Sequence, residues 1–152
     1  MSIASILSSK GADVVRVAPG MPIRAIVQLL GERGIGAVLV MDGLDRAPDG
    51  SPDRLRGILS ERDIVRALAR EGAAVLDLAA SSLMTEVLFT ISPTASIADA
   101  MRIMTDNRVR HLPVIEDAAL VGLVSIGDIV KARLGEQANE VESLRAYVGG
   151  IH

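Results

Sequence analysis

The sequence predicts an α/β fold made of two tandem β-α-β-β-α repeats followed by a C-terminal helix. Two observations support this prediction. Two separate stretches of the first half of the chain recur in the same order in the second half, as expected of a tandem repeat. Within each copy, short apolar runs alternate with segments whose apolar residues fall at helical spacing. A chain of 152 residues has room for one domain or for two very small units packed together.

The repeat is clearest in two pairs of segments. Residues 17–42 align with 91–116, and the motif GILSERD at 57–63 aligns with GLVSIGD at 122–128. The two members of the second pair are separated by nine fewer residues than the two members of the first pair. The first copy therefore contains an insertion of nine residues. The insertion falls in the turn-rich segment 43–56, which we expect to be an exposed loop.

Each copy begins with a short strand and an amphipathic helix. We expect the strands at VVRV (14–17) and at VLFTI (87–91). A proline-containing turn follows, and apolar residues then recur at the spacing of one helix face. These residues are Ile23, Ile26, Val27 and Leu30 in the first copy, and Ile97, Met101 and Met104 in the second.

Two strands and a second helix complete each copy. The runs GAVLVM (36–41) and HLPVIE (111–116) are apolar enough to form buried strands. A further strand should end at Ser60 in the first copy and at Ser125 in the second, where a helix begins. A unit of this size would be marginally stable alone, so we expect the two copies to pack together.

These elements predict three regions of the chain. In the last of them, Val141, Leu144 and Val148 share one side of a helix and predict a packing or dimer face. The regions are a first repeat over 11–72 with the inserted loop at 43–56, a second repeat over 84–134, and a helical tail over 135–152.

The Ser-x-x-Asp motif that opens each second helix has two interpretations. Asp63 follows Ser60, and Asp128 follows Ser125, at the spacing of a helix cap. The same motif also stands where backbone N–H groups and the helix dipole face outward toward an anion. A carboxylate at such a turn can accept hydrogen bonds from both hydroxyls of a ribose. The pair therefore also predicts a nucleotide site.

A third Ser-x-x-Asp motif provides a comparison within the same chain. Ser96 and Asp99 stand where the first helix of the second copy should begin. The first copy does not preserve this pair and has Pro22 near the helix start instead. We therefore interpret Ser96 as a cap only, whereas the motif kept in both copies favours binding.

The repeated unit, closed in each copy by Gly-aliphatic-aliphatic-Ser-x-x-Asp, resembles a pair of CBS domains, also called a Bateman module. The resemblance covers about residues 11–134 and is strongest with small stand-alone bacterial CBS-pair proteins. It implies two repeats packed with pseudo-two-fold symmetry and clefts for an adenine nucleotide such as AMP, ATP or NAD(H). It also implies a homodimer that acts on an effector protein. The segments that carry it are SSKG (8–11), IGAVLV (35–40), SERD (60–63), RHLPV (110–114) and SIGDIV (125–130).

The resemblance also assigns roles to individual residues. Asp63 and Asp128 match the ribose-binding aspartates of the family, and Ser60 and Ser125 match the hydroxyls near the sugar and phosphate. Adenine is expected between aliphatic side chains and backbone groups of the strands entering each second half. The further residues of these turns and strands are Arg62, Gly127, Ile35, Gly36, Ala37, Arg110, His111 and Leu112.

Three basic residues are candidates for phosphate contacts. Arg108 and Arg110 offer planar guanidinium groups suited to phosphate oxygens, although exposed surface positions would explain them equally well. Lys10 is a further candidate with the same alternative. The first copy has Gly34 and Gly36 in place of the two arginines, so we expect the two clefts to differ chemically.

Composition argues against several classes of function. The net charge of -3, with Phe89 and Tyr147 as the aromatic residues, disfavours binding to nucleic acid or to an anionic membrane. The chain lacks cysteine and has only two histidines, which disfavours a metal site. The N-terminus lacks a secretory pattern, and no apolar run approaches the length of a membrane span, so we expect a cytoplasmic protein.

The sequence also argues against catalysis. Neither the nucleophile motif G-x-S-x-G nor a Gly-rich phosphate loop occurs, and His111 is the only histidine besides the C-terminal residue. We therefore expect a regulatory nucleotide-binding module without enzymatic activity. The alternative is a structural or dimerisation module whose clefts hold no ligand.

Overall fold

The structure is a computed structural model that describes residues 1–11, 14–43 and 55–149. It confirms an α/β fold with two repeats and a C-terminal helix. Most of the predicted loop at 43–56 lies outside the described residues. The elements in chain order are α1 Ile3–Lys10, β1 Arg16–Val17, α2 Ile23–Arg33, β2 Ala37–Met41, β3 Leu55–Ser60, α3 Glu61–Glu71, a 3-10 helix Gly72–Asp77, α4 Ala80–Leu83, β4 Thr85–Glu86, α5 Ile97–Asn107, β5 His111–Glu116, β6 Ala119–Ser125 and α6 Ile126–Gly149.

The chain divides into two compact units. The first unit contains Asp13–Leu88 and Asp117–Leu120, and the second contains Met1–Ala12, Phe89–Glu116 and Val121–His152. The first unit therefore holds the first repeat, and the second unit holds most of the second repeat together with the N-terminal segment of the chain.

The first unit is built on a four-stranded sheet in the order β1-β2-β3-β4. Strand β1 runs parallel to β2, and the other pairs are antiparallel. Ile23, Ile26 and Leu30 of the predicted stripe of α2 are buried in the core of this unit, because they recur once per turn. Val27 of the same stripe and Met101 of the stripe on α5 are exposed, so the prediction that they face the core is wrong. The buried core comprises Val17, Ile23, Ile26, Leu30, Val38, Val40, Leu59, Ile64, Ala67, Val75 and Ala80.

The second unit is built around a two-stranded sheet of β5 and β6. The strand predicted over 87–91 is wrong in extent, because only Ile91 forms a bridge there, parallel to Val114. The strand that does form, β4, lies earlier and pairs with β3 of the first unit. The core comprises Ile3, Ile6, Ile91, Ile97, Ala100, Met104, Leu112, Val114, Val124 and Ile129.

Helix α1 was not predicted, and it completes the second unit. The backbone N–H of Ile3 donates to the carbonyl of Ala95 at 3.0 Å. In the first unit the N–H of Ala80 donates to the carbonyl of Met21 at 2.9 Å, and Met21 aligns with Ala95 when 17–42 is aligned with 91–116. The segment before the first repeat therefore completes the second unit, and the segment before the second repeat completes the first unit.

The glycine that opens each GILSERD-type motif has a packing reason. A Cβ atom on Gly57 would lie 2.7 Å from the backbone oxygen of Thr85, so β4 could not approach β3 as closely. A Cβ atom on Gly122 would lie 2.7 Å from a terminal methyl of Leu7 in α1. Both glycines therefore accommodate the segments that complete the two units.

We expect Gly57→Ala to destabilise the protein more than Gly122→Ala. The new methyl of Gly57→Ala meets backbone, whereas that of Gly122→Ala meets the end of a flexible side chain that can rotate away. Overpacking typically costs about 1–3 kcal/mol, and Gly57→Ala should fall in this range. Urea denaturation of both variants measures the difference. Equal costs for the two variants would contradict the close approach of β4 at Gly57.

Helix α6 is longer than the sequence suggested. A second-repeat helix and a separate tail helix were expected, but Ile126–Gly149 is one continuous helix. The residues between the two predicted helices include Gly135 but no proline, and one glycine does not end a helix. Val141 and Leu144 are exposed, whereas the side chain of Val148 lies outside the described residues. The dimer face predicted there stays a prediction.

Candidate functional site

Both Ser-x-x-Asp turns form complete helix caps. In the first unit, the N–H of Asp63 donates to the Ser60 hydroxyl at 3.2 Å, and the N–H of Ser60 donates to Asp63 Oδ2 at 3.0 Å. In the second unit the corresponding distances between Asp128 and Ser125 are 3.2 and 2.9 Å. The capping interpretation of the repeated motif is therefore confirmed.

The comparison motif on α5 forms the same cap. The N–H of Asp99 donates to the Ser96 hydroxyl and the N–H of Ser96 donates to Asp99 Oδ2, both at 3.0 Å. Hydrogen bonds from the Ser96 backbone and hydroxyl lower the pKa of Asp99 below its usual value. Cap geometry is thus common to all three motifs, and only the surroundings can distinguish a binding turn from a structural one.

The surroundings of the repeated turns include the strands expected to hold adenine. The N–H of Glu61 donates to the carbonyl of Gly36 at 2.9 Å, and Ala37 pairs with Ser60 across β2 and β3. In the second unit the N–H of Ile126 donates to the carbonyl of Arg110 at 2.8 Å. Each unit therefore brings its Ser-x-x-Asp turn next to the strand segment predicted to share the site.

The surroundings of the two carboxylates differ in charge. The Lys10 ammonium lies 2.6 Å from Asp128 Oδ2 and also donates to the carbonyl of Leu123 at 3.1 Å. Partial burial acts to raise the pKa of Asp128, but hydrogen bonds from Lys10 and Ser125 outweigh it and hold the pKa below its usual value. Asp63 instead has the Thr85 hydroxyl 3.5 Å from Oδ1.

One of the two predicted arginines, Arg108, ends a helix in an unusual conformation. Arg108 terminates α5 with φ 54° and ψ 40°, the left-handed region that glycine adopts at lowest cost. Gly34 terminates α2 in the same conformation, with φ 62° and ψ 38°. Arg108 and Arg110 are both at the surface, so their guanidinium groups are accessible from solvent. Their role in phosphate binding stays a prediction.

The remaining predicted residues occupy different environments. Arg62 and Gly127 are exposed in the first turns of their helices, and His111 is half-buried at the start of β5. The side chain of Leu112 is fully buried in the core of the second unit. Leu112 therefore supports its strand, and a ligand would meet its backbone.

An apolar groove of about 520 Å³ lies between α2 and α3 in the first unit. It shares Ile35 and Gly36 with the predicted site, but it does not include Ser60 or Asp63. The carboxylate turn suits a nucleotide better than this groove does, because Glu61 is the one charged residue among the described residues that line the groove. The groove is lined by Val27, Leu30, Gly31, Gly34, Ile35, Gly36, Glu61, Ile64, Val65 and Leu68.

The pattern of the CBS domain family matches residues 3–70 and 80–135. The chain belongs to the CBS domain family. The first of these matches begins at α1, which in this CBS pair completes the second unit. The resemblance inferred from the two repeats is therefore confirmed at the level of the family.

Several known proteins are similar to this CBS pair. The mitochondrial CBS domain-containing protein CBSX3 of Arabidopsis thaliana is 36% identical over 82% of this chain and 58% of its own length. The chain thus spans a little over half of that relative. The crystal structure of a CBS-domain containing protein from Agrobacterium tumefaciens is 40% identical, covering 88% of this chain and 99% of its own, with a TM-score of 0.77.

A further solved relative contains a nucleotide. A CBS domain protein from Pyrobaculum aerophilum, complexed with AMP, is 26% identical and covers 84% of this chain and 89% of its own, with a TM-score of 0.68. AMP is therefore a ligand of that relative.

Two absences hold for the part of this CBS pair that the structure describes. Within residues 1–11, 14–43 and 55–149, no three His, Asp or Glu side chains are grouped to hold a metal ion. In the same ranges, none of the helices has both the length and the apolar character needed to span a bilayer.

Helix α1 was predictable from the spacing of its apolar residues. Ile3, Ile6 and Leu7 recur at helical spacing, and Ile3 and Ile6 are buried in the second unit. The contact of Lys10 with Asp128 had no such signal, because the two residues are 118 positions apart. The sequence indicated Lys10 as a phosphate candidate, and the structure places it on a carboxylate.

Proposed function

We propose that this CBS pair is a regulatory module that binds an adenosine nucleotide, AMP, ATP or NAD(H), and has no catalytic activity. The observation that carries the proposal is the duplicated Ser-x-x-Asp turn, whose partly buried carboxylate lies beside a strand start in both units. The AMP complex of a relative supports the choice of ligand class.

The cap and a bound ribose are compatible uses of one carboxylate. An ionised carboxylate offers about four lone-pair sites on its two oxygens. The cap of Asp63 uses Oδ2, and that of Asp128 also uses Oδ2. In each residue Oδ1 can accept one ribose hydroxyl while the helix cap stays in place, and the second hydroxyl would use the lone pair of Oδ2 that the serine N–H leaves.

The other groups of each site have complementary tasks. Adenine would lie against the aliphatic strand start, at Ile35, Gly36 and Ala37 in the first unit, and bond to backbone groups. The phosphate would meet the N-terminus of α3 or α6, where the helix dipole favours an anion. Arg62, Arg108 and Arg110 would add charged contacts, and Arg108 has glycine in its place in the first repeat.

A structural or dimerisation module without a ligand is the second candidate function. The complete caps favour it, because Ser60 and Asp63 satisfy each other's hydrogen bonds within the protein. Exposed apolar residues on the helices favour it as well, since Val65 and Val130 are exposed at equivalent positions of the two repeats. Such positions are typical of interfaces.

Assembly and signalling complete the proposal. We propose that the protein forms a homodimer through these exposed helix positions. Nucleotide binding would act on an effector protein by favouring one of two arrangements of the repeats, to the extent that the ligand's affinity for the two arrangements differs. The cytoplasmic location expected from the sequence stays a prediction.

A thermal-shift experiment tests the ligand. AMP, ATP, NAD(H) and S-adenosylmethionine are added separately, and GMP serves as a control that keeps the ribose and phosphate of AMP. A ligand at a hundred times its Kd should stabilise the protein by about 2.7 kcal/mol. We expect a rise in Tm of roughly 5–10 °C with at least one adenosine compound. No shift with any of them would favour the structural module.

A further inference from the structure

We infer that Lys10 is a displaceable counter-ion of Asp128, so that a nucleoside diol must displace its ammonium to bind the carboxylate of the second repeat. The inference rests on the proposed function and concerns the regulation of the same site. It makes the two repeats unequal, since the first repeat has no lysine at the corresponding position.

The contacts of the Asp128 carboxylate support this inference. Oδ2 accepts the N–H of Ser125 at 2.9 Å and the Lys10 ammonium at 2.6 Å. Two bonds use the lone pairs of that oxygen. A diol held by two parallel hydrogen bonds needs both carboxylate oxygens, so it competes directly with Lys10. The second bond of the ammonium, to the carbonyl of Leu123, holds it in place.

The corresponding carboxylate of the first repeat is occupied differently. Asp63 Oδ2 accepts the N–H and the hydroxyl of Ser60, both at 3.0 Å. A hydroxyl can rotate to another acceptor without any movement of the chain, whereas an ammonium that leaves gives up a charge-assisted bond. In the segments that complete the two units, Ile3 corresponds to Ala80, because they bond to the aligned residues Ala95 and Met21. Val87 therefore stands at the position of Lys10, and valine carries no charge.

The ion pair should therefore lower the affinity of the second repeat for a diol. The side chains of Lys10 and Asp128 are 37% and 22% exposed, so solvent weakens but does not abolish the pair. Pairs of this kind correspond to a change in affinity of about two- to fivefold. Ligand should then fill the Asp63 site first and reach the Asp128 site at higher concentration.

The displaced lysine also offers a route for the signal. Lys10 is the last residue of α1, and the N–H of Gly11 donates to the carbonyl of Leu7 at 2.9 Å to close that helix. Release of the Lys10 side chain removes a tertiary contact from this last turn. Ligand bound at Asp128 should therefore raise the hydrogen-exchange rate of the Gly11 amide, because local opening of the turn becomes easier.

The experiment compares adenosine with AMP by calorimetry in the Asp63→Ala background, where only the second carboxylate remains. Adenosine has the diol without the phosphate, so it isolates competition at the carboxylate. We expect Lys10→Met, which removes the ammonium and keeps an unbranched side chain of similar length, to bind adenosine about two- to fivefold more tightly. Lys10→Arg should keep the weaker affinity, and Lys131→Met on the exposed surface of α6 should leave it unchanged.

Each result has a separate meaning. If Lys10→Met weakens AMP and leaves adenosine unchanged, Lys10 contacts the phosphate and the inference is overturned. Unchanged affinity for both compounds also overturns it, provided that thermal denaturation shows the variant folded. If the unmodified protein binds neither adenosine nor any of AMP, ATP and NAD(H), the proposed function itself fails. Binding by the unmodified protein is therefore the measurement that separates the two failures.

Discussion

Asp63→Ala and Asp128→Ala should each lower the affinity of one site for AMP by roughly ten- to a hundredfold. The reason is the loss of a charged acceptor for the ribose hydroxyls, which is worth on the order of 1.5–3 kcal/mol. Isothermal titration calorimetry with AMP measures the effect. Each variant should keep one site at its original affinity, because the two carboxylates belong to different repeats.

The cap on α5 is a matched control for this prediction. Asp99→Ala removes a carboxylate that accepts a hydrogen bond from a serine N–H, as the other two substitutions do. All three variants should lose about 0.5–1.5 kcal/mol of stability in urea denaturation, but Asp99→Ala should leave AMP binding unchanged. If Asp63→Ala and Asp128→Ala lose stability and keep their affinity for AMP, both residues are caps only.

Ile3→Ala should destabilise the protein by about 2–5 kcal/mol, because the substitution removes three buried carbon atoms and leaves a cavity in a packed core. Ile3 is fully buried in the second unit although it stands at the N-terminus of the chain. Ile97→Ala, in the same core, should cost a similar amount. Urea denaturation followed by circular dichroism measures both variants.

An exposed residue provides the control for Ile3. The side chain of Leu134 on α6 is 60% exposed, so Leu134→Ala should change stability by no more than about 0.5 kcal/mol. Hydrogen exchange of Ile3→Ala should show the largest loss of protection in the second unit, because α1 packs there. A cost for Ile3→Ala as small as that for Leu134→Ala would show that α1 is not part of the core.

The elements that were predictable are those whose signals lie close together in sequence. Ile23, Ile26 and Leu30 recur once per helical turn, and all three are buried as their spacing indicates. The caps at Ser60 and Ser125 were predictable for the same reason, since each joins residues three positions apart. The duplicated motif made the candidate site visible as well, because both copies repeat the same local chemistry.

The misplaced strand and the divided helix show what local signals could not decide. The apolar run at 87–91 has the composition of a strand, yet only Ile91 finds a bridging partner. Strand β4 forms earlier because Gly57 lets Thr85 approach β3 closely. The continuity of α6 through Gly135 was missed because a single glycine is weak evidence for a helix end.

The sequence by itself determined the two repeats, their α/β order, the three helix caps and the positions of Asp63 and Asp128, since these depend on spacings of a few residues. Only the tertiary structure decided that α1 completes the second unit and that Lys10 lies 2.6 Å from Asp128. Those partners are brought together by burial of Ile3 and Ile6 in a core formed mainly by distant residues. A contact across 118 positions forms through such packing and leaves no periodic signal in the sequence.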